Sequence, residues 1–283
     1  VTYNVIARPQ DASAEDAAAY VESPTSYLRG FAKKALVITE LEARKLRHDP
    51  TELLTRAIQP MLWLLVFGEV LTRVRAIPTG DIPYIDFMTP GVLAQSVLFI
   101  SIFYGISIVW ERDLGIVQKF LASPTPRTAI VAGKALSAGL RSLSQALIVV
   151  VLAVLIGVSV DLDPLSLAFV VIVVLLGAAV FSTLSLIIAC LVKTRDRFMG
   201  IGQMITMPLF FASNAIYPIS LMPDWLKAIA YVNPLTYVVD ALRGLMITGG
   251  VSEYGVAVDL TILVAVAAGL IAIGGRLYAR VGQ

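Results

Sequence analysis

The chain has 283 residues, 58% of them apolar and 15% charged, where soluble domains average about 45–50% and about 25%. A net charge of +2 gives no basic surplus for nucleic acid, and no nucleic-acid partner is expected. One cysteine, Cys190, rules out an intrachain disulfide, and one histidine, His48, with no clustered cysteine argues against a transition-metal site.

Val1–Arg29 lacks a continuous apolar core, so no secretory signal is expected, and residues 1–26 read as a mobile tail. Tyr27–Asp49 reads as a helix with Arg29, Lys33, Arg44 and Arg47 on one face. Leu28, Phe31 and Ile38 gather elsewhere on it. This amphipathic interfacial helix (27–49) suits an anionic lipid surface, a dock for a partner, or simple orientation of the span that follows. Asp49-Pro50-Thr51-Glu52 then supplies a helix start, and a first span is expected from about Leu53 to Thr72.

Four long charge-free stretches follow: Phe87–Trp110, Ser142–Val160, Pro164–Val192 and Phe198–Pro223, of 24, 19, 29 and 26 residues. A hydrocarbon core needs roughly 20 helical residues to cross, and a chain in lipid must satisfy its backbone internally. With a last span around Gly255–Gly275, six spans are expected. Placing both termini in the cytoplasm puts sixteen Lys and Arg inside and four outside, counting neither Lys134 nor Arg141 in span three. The expected fold is an all-α, polytopic membrane protein with six transmembrane helices, an interfacial helix and an outer helical hairpin.

Three features stand out between and within the spans. The 111–127 connector, Glu111-Arg112-Asp113-Leu114-Gly115 through Ser123-Pro124 to Arg127, reads as a short cytoplasmic helix between a charged and a Pro-rich turn. It is either a transmission point for a partner or an ordinary structured loop. The 223–250 connector reads as two short helices. Pro223 opens the first, while Asn233-Pro234 caps the second, which is expected to run to about Met246. This hairpin either dips into the outer leaflet as a re-entrant element or lies on the surface. Asp240 and Arg243, three apart, are placed to pair on one helical face. Within the spans, Arg141, Gln145, Met204, Met207, Phe210 and Asn214 are candidates for lining a pathway. No phosphate loop, zinc-protease motif or nucleophile elbow is present. Nothing in the sequence points to ATP hydrolysis or bond cleavage, so no enzyme is expected, and if transport is active its energy would enter through another polypeptide.

The stretch Thr206–Arg243 resembles the membrane-subunit signature of type-2 ABC exporters of the daunorubicin-resistance class. Thr206, Leu209, Ala212, Ser213 and Ala215 fill its first part, Met222-Pro223 its step, and Pro234, Leu235, Tyr237 and Arg243 its end. Phe87-Met88-Thr89-Pro90-Gly91 is similar to that family's opening of span two. Glu111-Arg112-Asp113 with Leu121-Ala122-Ser123-Pro124 is similar to its coupling segment. The resemblance implies that 27–283 is one exporter transmembrane domain in a prokaryotic cell membrane. It implies a second permease subunit, as a homodimer or heterodimer, and two copies of an ATP-binding subunit that press on the coupling segment and the interfacial helix. It implies an outer hairpin that gates the exit. ATP and Mg would sit on the partner, with no cofactor on this chain. The expected cargo is a drug, an antibiotic or a lipid-like amphiphile. The alternatives are a polysaccharide or glycolipid permease of the same fold, or a membrane scaffold that does not transport.

Overall fold

The computed structural model describes residues 58–74, 77–80, 82–115, 127–192 and 194–278. The N-terminal tail, the interfacial helix with Arg29, Lys33, Arg44 and Arg47, and the Ser123-Pro124 half of the coupling segment lie outside the described residues. The described elements are helices, with a single isolated β-bridge between Val160 and Ile247.

Helix α1 covers residues 58–74, π-helical over Trp63–Gly68 and α-helical over Glu69–Val74. Then come α2 (Tyr84–Tyr104), α3 (Ile106–Asp113), α4 (Arg127–Ile156), α5 (Pro164–Leu191) and α6 (Arg195–Phe211). A 3-10 turn at Ile219–Leu221 leads to α7 (Asp224–Val232), α8 (Pro234–Met246) and α9 (Val256–Leu277). Among the described residues, four helical stretches are long and apolar enough to cross a membrane: Tyr84–Asp113, Ile130–Ile156, Pro164–Leu191 and Val256–Leu277.

Helix α5 is the axis of the bundle, packed by α2, α4, α8 and α9. Asp163 caps it by accepting from the amides of Leu165 and Ser166, with Pro164 at the first helical position. The Pro164–Val192 stretch therefore folds almost end to end as its sequence suggests. Others differ in extent. The Ser142–Val160 stretch begins fifteen residues inside α4, and its last residues leave the helix to meet the α8 end. The Phe198–Pro223 stretch gives a helix only to Phe211. There the Asn233 side chain takes the carbonyls of Leu209 and Ala212 at 2.7 and 3.0 Å, so the last turn is finished by a side chain from another element.

The two hairpin helices behave differently. α8 sits among α2, α5 and α9, with Leu235, Val238, Val239, Ala241, Leu242 and Met246 buried. α7 buries only Ala230 and leaves Trp225, Ile229 and Val232 exposed. The far end of α8 is clasped: Asp161 donates its amide to Met246 and Thr248 donates to Ser159, each at 2.8 Å, while Ser159 donates to the buried Asp86 carboxylate at 3.3 Å.

Close approach at this end depends on Gly91 of α2, where a Cβ would overlap the Ala215 carbonyl. Gly91→Ala is expected to cost about 1–3 kcal/mol through overpacking. Gly269→Ala on α9 meets nothing within 4 Å and is expected to hold or raise stability by up to about 1 kcal/mol. Thermal unfolding of both variants in detergent checks this, and equal shifts would contradict it.

Candidate functional site

At the α3 end of the bundle, every charged side chain in the last turn of α3 is tied to another helix. Glu111 forms an ion pair with Lys134 of α4, which is only 3% exposed. Arg112 donates to the Val192 carbonyl, at the end of α5, at 2.9 Å. Asp113 accepts two hydrogen bonds from Arg195 of α6 at 2.9 and 3.1 Å, and the Arg195 guanidinium lies 3.8 Å over the Trp110 ring. Beneath these clamps is a small apolar core of its own: Ile108, Val109, Ile130, Val131, Leu186, Phe198 and Tyr278. Leu114 points outward, and Gly115 takes a positive φ of 70° that ends the helix.

Why the lysine lies there follows from solvation. A lone ammonium inside an apolar bundle costs several kcal/mol, and a carboxylate partner offsets most of it. The pair therefore fixes the register of α3 against α4. The Glu111–Lys134 and Asp113–Arg195 bridges differ in kind, because the second is exposed and contributes only about 0.2–1 kcal/mol.

Next to this clamp, a cavity of about 510 Å³ opens between α1, the α2–α3 segment and α4. Phe99, Ile100, Phe103 and Ile106 form its apolar walls, and Gln59, Ser96, Ser107, Arg141 and Gln145 its polar ones. The Arg141 guanidinium lies 5.4 Å from the Tyr104 ring centroid.

The hairpin end carries a second buried polar cluster. Asp240 is fully buried and accepts from Ser252 at 2.8 Å and from the Tyr254 amide at 3.1 Å. Arg243 donates to the Asn214 backbone carbonyl at 2.6 Å and stacks 3.9 Å over Phe87. Burial pulls the Arg243 guanidinium down to about 10, against the pull of Asp240 and Glu253, so it stays cationic at neutral pH. The expected Asp240–Arg243 pair is present only at 3.9 Å, and each group has stronger partners elsewhere. Asp259, in the first turn of α9, is fully buried and accepts from Ser252 at 3.1 Å. A cavity of about 400 Å³ adjoins this cluster.

The last turn of α3 is thus clamped to α4, to the end of α5 and to the start of α6. Residues 34–247 match the ABC-2 type transporter family. The chain belongs to that family. It is 27% identical over 234 residues to the daunorubicin resistance ABC transporter permease protein DrrB1 of Streptomyces coeruleorubidus, covering 83% of this chain and 80% of that one. It is 26% identical over 224 residues to the putative transport permease ycf38 of Cyanophora paradoxa, covering 78% and 76%. Against the inner membrane transport permease YadH of Escherichia coli the identity is 24% over 192 residues, with 64% and 70% covered. This ABC-2 permease is thus a multi-pass membrane transport subunit, and ATP hydrolysis belongs to an ATP-binding partner chain.

The six candidate pathway residues of the permease do not converge. Arg141 and Gln145 line the larger cavity. Met204 and Met207 face outward from α6, and Phe210 is buried edge-on against Trp63 at 5.7 Å. Asn214 is buried in the hairpin cluster. Asn233 caps α8 as expected, accepting from the Leu235 amide at 3.0 Å, and Pro234 and Leu235 begin that helix. Pro223 precedes α7, and the Tyr237 hydroxyl donates to the Tyr231 carbonyl at 2.6 Å, fastening α7 to α8. Sequence reasoning overlooked Lys134 as a partner, although a lone lysine inside an apolar helix is itself the signal. It also overlooked Ser252, whose role needs the folded loop.

Two predictions follow from these partners. Glu111→Ala and Lys134→Ala are each expected to destabilise the protein, and the double variant by less than the sum of the two, with a coupling energy of about 0.5–3 kcal/mol in a double-mutant cycle. A coupling near zero by thermal unfolding would deny the pair. At the hairpin end, Asp240→Ala and Arg243→Ala are each expected to cost about 3–5 kcal/mol. The exchanged variant Asp240→Arg/Arg243→Asp is expected to show no rescue, because each position would face the wrong partners. Recovery of stability on exchange would show that the direct pair dominates.

Proposed function

We propose that this permease exports hydrophobic or amphiphilic molecules, drug-, antibiotic- or lipid-like, from the cytoplasm or inner leaflet of a prokaryotic cell membrane. The observation that carries the proposal is the clamped turn. Glu111, Arg112 and Asp113 each reach a different helix, so a force on the turn moves α4, the end of α5 and the start of α6 together. Two copies of an ATP-binding subunit press on this segment, with ATP and Mg held by those subunits. A second permease subunit completes the pathway.

Six spans with both termini in the cytoplasm give the arrangement its orientation. α1 and α6 are the two spans beyond the four long apolar stretches. The positive-inside balance puts the clamp on the cytoplasmic side and the hairpin outside. There α7 and α8 form a re-entrant gate, α8 held in the bundle and α7 presenting Trp225, Ile229 and Val232. The cavity beside Arg141 and Gln145, with apolar walls and a polar edge, suits an amphiphile. Met204 and Met207 on α6 lie along an adaptable apolar surface.

The test is a mild-detergent pull-down of the tagged chain from its native membrane, with ATP hydrolysis measured on the eluate. The expected result is a stoichiometric phosphate-loop protein whose hydrolysis rises when amphiphiles are added. A clean chain without hydrolysis, even after crosslinking, would favour a scaffold instead.

A further inference from the structure

The bundle has two apolar cores. One holds Ile102, Val149, Phe181 and Leu263; the other holds Ile108, Val131, Leu186, Phe198 and Tyr278. The two cores part on four helical paths: between Ile102 and Ile108, Val131 and Ala146, Phe181 and Leu186, and Ala267 and Tyr278. The layer between the cores is rich in small and hydroxyl-bearing residues, with Leu184 packed against both cores. Ser101 and Ser142 share a hydrogen bond at 3.4 Å, Ser137 donates to Gly133 at 2.9 Å, and Ser182, Thr183 and Ser185 of α5 are buried. Such residues interlock less than Leu, Ile and Phe do, so the layer resists sliding less than either core.

The α2–α3 path breaks at this layer. The Gly105 amide bonds to the Ile102 carbonyl at 3.2 Å and the Ile108 amide to the Gly105 carbonyl at 3.1 Å, both 3-10 spacings inside an otherwise α-helical stretch. Two carbonyls at the break are satisfied by side chains: Ser185 of α5 donates to Ile102, and Ser107 donates to Tyr104 at 2.7 Å. Gly105 is required, since a Cβ there would overlap the Ser185 hydroxyl and come within 2.9 Å of Phe198 Cζ. The larger cavity straddles the break, with Phe103 on one side and Ser107 on the other.

We propose that this layer is a mechanical joint, in which the α3-end core rocks against the main core about Gly105, with Ser185 as the positioning residue. Rocking changes the cavity because its wall crosses the break. The joint rests on the reading that an ATP-binding subunit drives the clamped turn, and it adds where that motion is converted.

The experiment uses the permease complex purified with its ATP-binding subunit, in a Cys190→Ser background. Spin labels at Leu191→Cys, at the α3 end of α5, and Leu155→Cys, both exposed positions, span the joint. Labels at Leu155→Cys and Val171→Cys report on the main body. Trapping with ATP and vanadate is expected to shift the first distance by several ångströms and leave the second fixed. Gly105→Ala is expected to abolish the shift while hydrolysis persists. An unchanged first distance in a complex that hydrolyses ATP overturns the joint, as does a Gly105→Ala complex that responds like the parent. If Gly105→Ala fails to assemble, the parent distances alone decide. A complex without a hydrolysing subunit overturns the functional reading on which the joint rests.

Discussion

Everything at the α3 end depends on one constraint: an ammonium enclosed among apolar helices must keep a carboxylate beside it. Lys134 is 3% exposed, and neither water nor a hydrocarbon medium is available to take the place of Glu111. Losing the partner strands a charge, a far larger penalty than the pair's own net contribution. The last turn of α3 is therefore not free to drift from α4. Arg112 and Asp113 add the end of α5 and the start of α6 to the same body.

That body sits on its own apolar core, separate from the larger one around α5. The arrangement suits a subunit that converts a push at one end into rearrangement in the middle, since a rigid end transmits force and a layer of small residues yields to it. The hairpin end is built on the opposite principle. Asp240, Arg243, Ser252 and Asp259 are satisfied by loops and backbone groups as much as by one another. Loop residues 158–161 clasp the end of α8. α7, in contrast, is held through Tyr237 and a few small contacts and leaves most of its apolar face uncovered.

Much of this was legible in the sequence, and the legible parts share a cause. Local signals act through a residue's own neighbours, so Asn233-Pro234 marks the start of α8 without reference to the rest of the chain. Hydropathy likewise marks α5 and α9 nearly to their limits. Helix ends set by tertiary partners were not legible: α6 stops at Phe211 because Asn233, more than twenty residues later, takes its carbonyls. The pairing of Asp240 with Arg243 reads naturally from a three-residue spacing, yet Ser252, Tyr254 and Asn214 hold them more closely, and only the fold brings these together. Glu111 stood out as a charged turn residue, whereas its partner Lys134 lies 23 residues away. Gly105 and Ser185 carry no signal in isolation, since each is ordinary in a membrane helix and acquires meaning only by touching the other.

The most direct test of this account measures transport and ATP hydrolysis together in vesicles containing the Glu111→Gln permease and its ATP-binding subunit, with a fluorescent phospholipid and a membrane-partitioning dye as cargo probes that the parent complex moves. The account predicts that the complex assembles and hydrolyses ATP while transport of the probe falls by an order of magnitude or more. Transport at the parent rate would contradict it, because the turn would then deliver force without its buried anchor.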